Sequence, residues 1–276
     1  MPSSQFYQAS LSEIRDALVD AGITGPHRSH PRRGTLWKIY SMLDRDDEAT
    51  FGISTARNYT ASEIIGFMSE ITGCSDDLVD VDAQDLIDPD LTMRALLAAA
   101  VRLRDEAARG STLLAATGHP TGMLEHYMHI VAAYQEAGGK LVQLGEDQRF
   151  TYRKREKEIC YVGGVAVMSD GASLEHVHSS APMEVLLESG APPDMVMGDH
   201  GYAGAAIERG IPTIAVMDIN DQALSVAWAE KRDVIVVPLD DNRPQRLYEP
   251  AWTLFERIIS GDRSLLVAQA EAAGGD

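Results

Sequence analysis

Three aspartates in this sequence stand where a short apolar run gives way to a polar loop. They are Asp170, Asp199 and Asp218. Hard divalent cations such as Mg²⁺ and Mn²⁺ prefer oxygen ligands, so the three carboxylates are candidate metal ligands. Any one of them alone could instead be the N-cap of the following helix, which is the commoner role for an aspartate at such a position.

Histidines accompany these aspartates in the polar loops. His200 directly follows Asp199, and His176 and His178 lie on one side of a predicted extended segment. An imidazole can ligate zinc, manganese or iron, and it can act as a general acid or base near neutral pH. We therefore predict a catalytic role for Asp199, His200 and His178.

A glycine-containing loop, TGHPTG at residues 117–122, separates an apolar run from a helical pattern. Its glycines would let backbone N–H groups approach an anion, and the start of the next helix adds positive potential. The spacing matches neither a Walker loop nor a dinucleotide fingerprint, so no nucleotide cofactor is indicated. The alternative is a tight turn between strand and helix. The predicted substrate-binding residues are Thr117, Gly118, His119, Thr121 and Gly122 in this loop, together with Arg243 after the last strand.

These loops need a scaffold that brings them together. From residue 110 onward, apolar runs alternate with helical patterns, which predicts an α/β fold with a three-layer, Rossmann-like and mostly parallel sheet. The carboxyl ends of parallel strands border the ligand crevice, so we expect the polar loops to converge there. The predicted strands lie within residues 113–116, 141–144, 159–168, 195–197, 212–217 and 234–239, and residues 149–154 indicate an exposed strand, antiparallel or part of a hairpin.

Residues 1–109 have a helical pattern and contain no predicted strand. Ser10 with Glu13, and Thr60 with Glu63, have the spacing of capping boxes at helix starts. We predict that residues 1–109 form a helical cap or lid segment. Residues 110–276 are predicted to form the Rossmann-like α/β catalytic core.

The composition narrows the class of partner. The chain has 276 residues, 45% of them hydrophobic, and a formal net charge of −18. This charge opposes binding to nucleic acid or to an anionic membrane, since both need a basic surface. A small anionic metabolite held through a metal ion is compatible with it. No apolar run approaches the length of a membrane span and no signal-peptide pattern is present, so we predict a cytoplasmic protein. A homo-oligomer is left open.

Four stretches carry a resemblance to a known family. ATGHPTGMLEHY, YVGGVAVMSDGASLEHVHS, PDMVMGDHGYAGAAIERGIPTIAVMDIND and VIVVPLDDNRP resemble a family of actinobacterial proteins described as phosphatases. The resemblance covers most of residues 110–250 and, more loosely, the helical segment. It implies a hydrolase acting on phosphate esters.

The chain is also distantly similar to the Rossmann-like superfamily of metal-dependent damage-control phosphatases and D-glutamate cyclases. That similarity implies a helical part packed on an α/β core, with a divalent metal held at the strand ends. It implies Asp199 as a metal ligand, with Asp170 and Asp218 nearby. The asparagine–aspartate pair usual in that superfamily is not intact, and Gly198-Asp199-His200 stands in its place.

These observations predict a metal-dependent hydrolase that acts on a small phosphorylated metabolite, with Mg²⁺ or Mn²⁺ as the cofactor. Two alternatives remain. One is a lyase, cyclase or isomerase acting on a carboxylated or sugar substrate at the same edge of the sheet. The other is a non-catalytic sensor that binds a small anion between the lid and the core.

Overall fold

The computed structural model describes residues 4–262 and 264–265. The predicted core extends to residue 276, and residues 263 and 266–276 lie outside the described part. The helices are α1 (Leu11–Ala21), α2 (Arg32–Leu43), α3 (Asp47–Thr50), α4 (Ala61–Thr72), α5 (Pro89–Arg109), α6 (Pro120–Glu136), α7 (Ala181–Glu188), α8 (His200–Glu208), α9 (Gln222–Ala229) and α10 (Glu249–Ile259). Short 3₁₀ turns lie at Gln5–Gln8 and Gln245–Tyr248.

The strands are β1 (Gly25–Pro26), β2 (Leu86–Ile87), β3 (Thr112–Ala116), β4 (Lys140–Leu141), β5 (Arg149–Tyr152), β6 (Arg155–Val162), β7 (Val165–Ser169), β8 (Met195–Asp199), β9 (Thr213–Met217) and β10 (Val234–Pro238). The main sheet has the order β10-β9-β8-β3-β7-β6-β5, and β4 pairs with the start of β3. Strands β10, β9, β8, β3, β4 and β7 pair in parallel, whereas β5, β6 and β7 pair antiparallel. The predicted mostly parallel sheet is confirmed.

Helices cover both faces of this sheet, because alternate strand residues point to opposite sides. Leu113 and Ala115 of β3 pack in one core cluster with α1, α5, α6 and α10. Leu114 and Ala116 pack on the other face with α7 and α8. The second face continues over α2, α4 and α9. The three-layer α/β prediction is therefore confirmed.

The apolar stretch 159–168 was predicted as one strand, and the structure corrects this to two. Gly163 and Gly164 form a two-residue turn between β6 and β7, with φ of 57° and 87°. Such hairpin turns need positive φ at both central residues, which glycine adopts without strain. The predicted exposed strand at 149–154 is confirmed as β5, which pairs antiparallel with β6.

The helices of residues 1–109 complete the two outer layers. Both predicted capping boxes are present, at Ser10 for α1 and Thr60 for α4. The expectation of no strand in this segment is wrong for β1 and β2, which pair antiparallel over two residues each. A domain boundary at residue 109 stays a prediction, since α1 and α5 share a core cluster with β3 and α6.

None of the helices in the described part of the chain combines the length and the apolar composition that a membrane crossing requires. The longest, α5, has 21 residues but carries several charged side chains. The cytoplasmic location and the oligomeric state stay predictions.

Candidate active site

Polar side chains from several loops meet at the carboxyl edge of the parallel strands. The loops after β3, β7, β8, β9 and β10 all contribute, and the loop between β1 and α2 joins them. We call this group the histidine–aspartate cluster. Its members are His27, His30, His119, His176, His178, His200, Asp199, Asp218, Asp221, Asp240 and Asp241.

Asp199 lies at the point where the chain connections diverge to opposite faces of the sheet. Helix α6 follows β3 on one face, and α8 follows the adjacent β8 on the other, which is where such sheets form a ligand crevice. The Thr117 hydroxyl donates to Asp199 Oδ2 at 2.6 Å, and the Gly118 N–H donates to Oδ1 at 2.7 Å. These bonds fix the carboxylate 3.6 Å from Nδ1 of His200.

The cluster has two parts, and His200 is at the centre of the first. It is buried, begins α8 and has a φ of 44°, a left-handed conformation that is strained for a histidine. Its Nε2 lies 3.2 Å from Asp241 Oδ2 and 3.7 Å from Asp221 Oδ2. His176 and His178 complete this part, with their Nε2 atoms 2.9 Å apart. The packing around the site therefore holds His200 between carboxylates and imidazoles.

The second part of the cluster joins the N-terminal segment to the ends of β9 and β10. His27 Nδ1 lies 3.6 Å from Asp218 Oδ1 and 3.5 Å from Asp240 Oδ2. His30 Nε2 contacts Asp218 Oδ2 at 3.1 Å. The two imidazole rings are 4.2 Å apart between centroids. An N-terminal loop therefore supplies two imidazoles to an edge that the sheet lines with carboxylates.

Many buried polar atoms of the cluster have no hydrogen-bond partner in the protein. They are Nδ1 and Nε2 of His27, Nδ1 of His30, His119 and His200, Oδ1 of Asp221, and Oδ2 of Asp240 and Asp241. Buried polar groups in native proteins are nearly always paired, and unpaired ones call for an explanation such as a bound ion. The donor atoms converge in three groups that could hold a metal ion, which are His176 with His178 and His200, His27 with His30 and Asp218, and His200 with Asp221 and Asp241.

The protonation tendencies of the histidines differ within the cluster. Burial lowers the pKa of His178 to about 2 and that of His27 to about 4, so both rings are neutral at pH 7, as metal ligation requires. Burial also acts to lower the pKa of His200, but the carboxylates of Asp221 and Asp241 outweigh it and raise the pKa to about 10. Without an ion, the charge of His200 thus balances the acidic groups around it, and a bound cation would take over that role and release the proton.

The carboxylates are equally perturbed. Burial, reinforced by the nearby Asp241 and Asp240 carboxylates, raises the pKa of Asp218 well above its usual range. Burial also dominates the raised pKa of Asp221, at about 6. Several carboxylates held together away from water repel one another, and a bound cation would relieve that repulsion.

The predicted anion-binding loop 117–122 makes several backbone hydrogen bonds within the protein. The N–H of Gly118 is bonded to Asp199, that of His119 to the Thr117 hydroxyl, and that of Gly122 to the His119 carbonyl. Both glycines are needed for close chain approach, because a Cβ at Gly118 would meet the Val177 carbonyl at 2.2 Å and one at Gly122 the Asp241 carbonyl at 1.9 Å. These three amides are therefore engaged with the protein, and a role of the loop in substrate binding stays a prediction.

Besides the loop residues Thr117, Gly118 and Gly122, three more of the predicted site residues are not members of the cluster. Asp170 is exposed, and its Oδ1 accepts hydrogen bonds from the N–H groups of Ala172 and Ser173 in a local turn. Thr121 is exposed in the first turn of α6. Arg243 directs Nη2 towards the Ala21 carbonyl at 3.4 Å. Their assigned roles stay predictions, and these contacts give none of them a place among the converging donors.

Several cluster residues were absent from the sequence-based assignment. His27 and His30 lie in the loop HRSH, whose His-x-x-His spacing was a usable signal, and Asp240 and Asp241 directly follow the last predicted strand, residues 234–239. Asp221 was likewise not among the predicted site residues. Asp240 follows its predicted strand directly, as Asp218 does, so the strand-end rule would have included the doublet.

Lys38 of α2 is in contact with the cluster. Its Nζ lies 3.0 Å from Nδ1 of His178 and 3.5 Å from the Glu48 carbonyl. An ammonium group is a point charge suited to phosphate oxygens. Helix α2 therefore places a cation at the rim of an otherwise acidic site.

Two comparisons with known proteins cover nearly the whole chain. The profile of the protein family described as Phosphatase matches residues 9–260. A Streptomyces coelicolor protein named Phosphatase SCO2771 is 34% identical over 248 residues, which is 87% of this chain and 93% of that protein. The matched span includes every residue of the histidine–aspartate cluster.

Proposed function

The chain belongs to the Phosphatase family, and on that premise we propose that it is a metal-dependent hydrolase that releases phosphate from a small phosphorylated metabolite. The observation that carries the proposal is the convergence of buried imidazole nitrogens and carboxylate oxygens that have no hydrogen-bond partner in the protein. Such a donor set stabilises cations at the carboxyl edge of the sheet, where α/β enzymes bind their ligands.

The residues suited to hold divalent ions are the three converging groups, two of which share His200. Ions bound there would polarise a phosphoryl oxygen and lower the pKa of a coordinated water. Mixed imidazole and carboxylate donors suit manganese, zinc or iron, whereas magnesium prefers oxygen ligands alone. Of the two predicted ions, this donor set favours Mn²⁺ over Mg²⁺.

Asp199 is proposed as a positioning residue. Its Oδ1 faces His200 Nδ1 at 3.6 Å, which leaves His200 Nε2 directed at Asp221 and Asp241. Metal-ligating histidines commonly present their second ring nitrogen to a carboxylate in this way. The hydrogen bonds from Thr117 and Gly118 hold Asp199 in place for this task.

Two further side chains are proposed to act on the substrate. Lys38 would bind a phosphate oxygen and offset its charge. His119 Nδ1 lies 3.3 Å from Asp241 Oδ1, and although burial opposes it, this carboxylate raises the pKa of His119. A histidine that keeps its proton next to a substrate can donate it to the leaving oxygen.

The test is phosphate release by metal-stripped protein after addition of Mn²⁺, Zn²⁺, Co²⁺ or Mg²⁺, with metal content measured in parallel. We expect metal-dependent release from at least one phosphomonoester. His200→Ala should lose bound metal and lower kcat/KM by about 100-fold or more, since even indirect disturbance of a metal site costs 10- to 100-fold. His129→Ala is the matched control, because His129 lies on α6 against Trp252 and Glu256, away from the cluster.

Product analysis separates this proposal from the two alternatives. A lyase, cyclase or isomerase would convert its substrate without releasing phosphate. A sensor would be stabilised by phosphate or a carboxylate but would turn nothing over. Full activity in metal-free protein, or in His200→Ala, would contradict the proposed hydrolase.

A further inference from the structure

A cleft of about 550 Å³ opens beside His176. The β5–β6 hairpin lines it with Arg153, Arg155 and Lys157, and Glu48 of α3 also lines it. His176 belongs both to this cleft and to the histidine–aspartate cluster. A substrate whose phosphoryl group sits at the cluster would therefore extend its remaining atoms into the cleft.

The cleft is lined by more basic than acidic side chains, in a protein with a net charge of −18. Two of its bases are neutralised locally, Arg153 by Glu48 and the buried Lys157 by Glu175. Arg155 is exposed and has no carboxylate within ion-pair distance in residues 4–262 and 264–265. Its guanidinium is the charge in the cleft that remains open to a ligand.

The turn between β5 and β6, beside the cleft, is strained. Arg153 and Lys154 both have positive φ, 49° and 64°, in a two-residue hairpin turn. Asparagine and glycine are preferred at such positions, because most side chains are strained there. The turn chemistry therefore gives no reason for an arginine at residue 153, whereas Arg153 lines the cleft.

We infer that this cleft binds the leaving group of the substrate, and that the leaving group carries a second anionic group, a carboxylate or a phosphate, recognised by Arg155. The inference rests on the proposed phosphatase function and specifies its substrate class. A guanidinium matches either anion with paired N–H donors. The neighbouring ion pair of Arg153 with Glu48 links the hairpin to α3 beside the cleft, so the second anion would meet Arg155 next to this ion pair.

The experiment compares substrates that differ mainly in this second charge, with metal-loaded full-length protein. 3-Phosphoglycerate is paired with glycerol 3-phosphate for the carboxylate, and glucose 1,6-bisphosphate with glucose 6-phosphate for the phosphate. We expect kcat/KM to be about tenfold or more higher for the charged member of at least one pair, the scale of a charge-assisted hydrogen bond. The pair that shows the preference identifies the anion.

Arg155→Gln should abolish this preference, so that kcat/KM is about equal for the two members of the pair. Arg149→Gln is the matched control on the same hairpin, because Arg149 faces Glu156 and Glu158 and does not line the cleft. Thermal shifts produced by the same compounds give a second readout that does not depend on turnover. An unchanged preference in Arg155→Gln, or no preference for the charged compounds in hydrolysis or binding, overturns the inference.

The proposed hydrolase function and the proposed anion site at Arg155 can fail separately. If no compound is hydrolysed with any metal, but the charged compounds still stabilise the protein through Arg155, the proposed function fails and the anion site stands. If all four compounds are hydrolysed equally by both variants, the hydrolase stands and the anion site fails.

Discussion

Two buried polar networks in this molecule differ in completeness. The first centres on Arg32 of α2, which is 1% exposed and bonds through its guanidinium to Asp85 and to the carbonyls of Ser75, Asp77 and Asp80. The second carboxylate oxygen of Asp85 accepts the Thr35 hydroxyl. The second network is the histidine–aspartate cluster, in which many ring nitrogens and carboxylate oxygens lack a hydrogen-bond partner.

The difference separates a structural network from a functional one. A buried charge is tolerated when its partners satisfy it, so the Arg32 network fixes α2 to the loop before α5 without any ligand. Burial lowers the pKa of His27, His176 and His178, so these three imidazoles do not offset the charge of the five carboxylates in the cluster, and the protein alone does not satisfy them. Sites of catalysis commonly retain such perturbed groups because their partners arrive with the ligand.

The largest expected effect concerns the complete network. Arg32→Ala should lower the free energy of unfolding by about 3–5 kcal/mol, because it leaves Asp85 buried without its cation. Urea denaturation of the metal-free protein measures this loss. A loss below about 1 kcal/mol would show that the Arg32 network is not the structural element that its geometry indicates.

The second prediction concerns the incomplete network. Addition of Mn²⁺ or Zn²⁺ at about 100 times its dissociation constant should raise the free energy of unfolding of the wild-type protein by about 2.7 kcal/mol, since the ion binds only the folded state. A chelator should reverse the gain. The same stabilisation in a His27→Ala, His200→Ala double variant would place the bound ion elsewhere.

A third prediction concerns one carboxylate of the histidine–aspartate cluster, that of Asp218. Asp218→Asn should raise the stability of the metal-free protein by about 1 kcal/mol, because burial and the nearby Asp241 and Asp240 carboxylates disfavour the ionised form of Asp218, and an amide carries no such cost. The same variant should lose most of the stabilisation by metal. Denaturation with and without metal measures both changes, and a less stable metal-free variant would mean that the cluster is not strained by like charges.

The smallest expected effect is the surface counterpart of the first. Arg33 is next to Arg32 but pairs with Asp82 in solvent, with both side chains more than 70% exposed. Arg33→Ala should change the free energy of unfolding by less than about 0.5 kcal/mol. A change comparable with that of Arg32→Ala would show that position on α2, and not the buried network, determines stability there.

Much of the fold could be predicted from local pattern. The alternation of apolar runs and helical periodicity located β3, β8, β9 and β10 within a few residues, and both capping boxes mark real helix starts. The Gly163-Gly164 turn was the main error in the core, because a continuous apolar stretch obscured the positive-φ turn within it. These features depend on residues close together in the sequence.

The site was predicted only in outline. Asp199, His200, His178 and Asp218 do lie together, because strands in parallel register deliver their ends to one edge. Asp170 also ends a strand, yet its carboxylate turns into a local hydrogen-bonded loop. His27 and His30 reach Asp218 from a loop some 190 residues earlier in the chain, as the numbering shows. No local pattern encodes that contact.

The sequence by itself determined the layered α/β architecture, the edge at which polar loops meet, and the supply of aspartate and histidine to that edge. Periodicity and strand ends are local properties, so they can be recognised in the sequence without knowledge of the packing. Only the tertiary structure decided which of those residues converge, and that an N-terminal loop and α2 complete the cluster. Which residues converge depends on how the helices pack across the sheet. That packing is determined by long-range contacts, which cannot be read from any short stretch of the sequence.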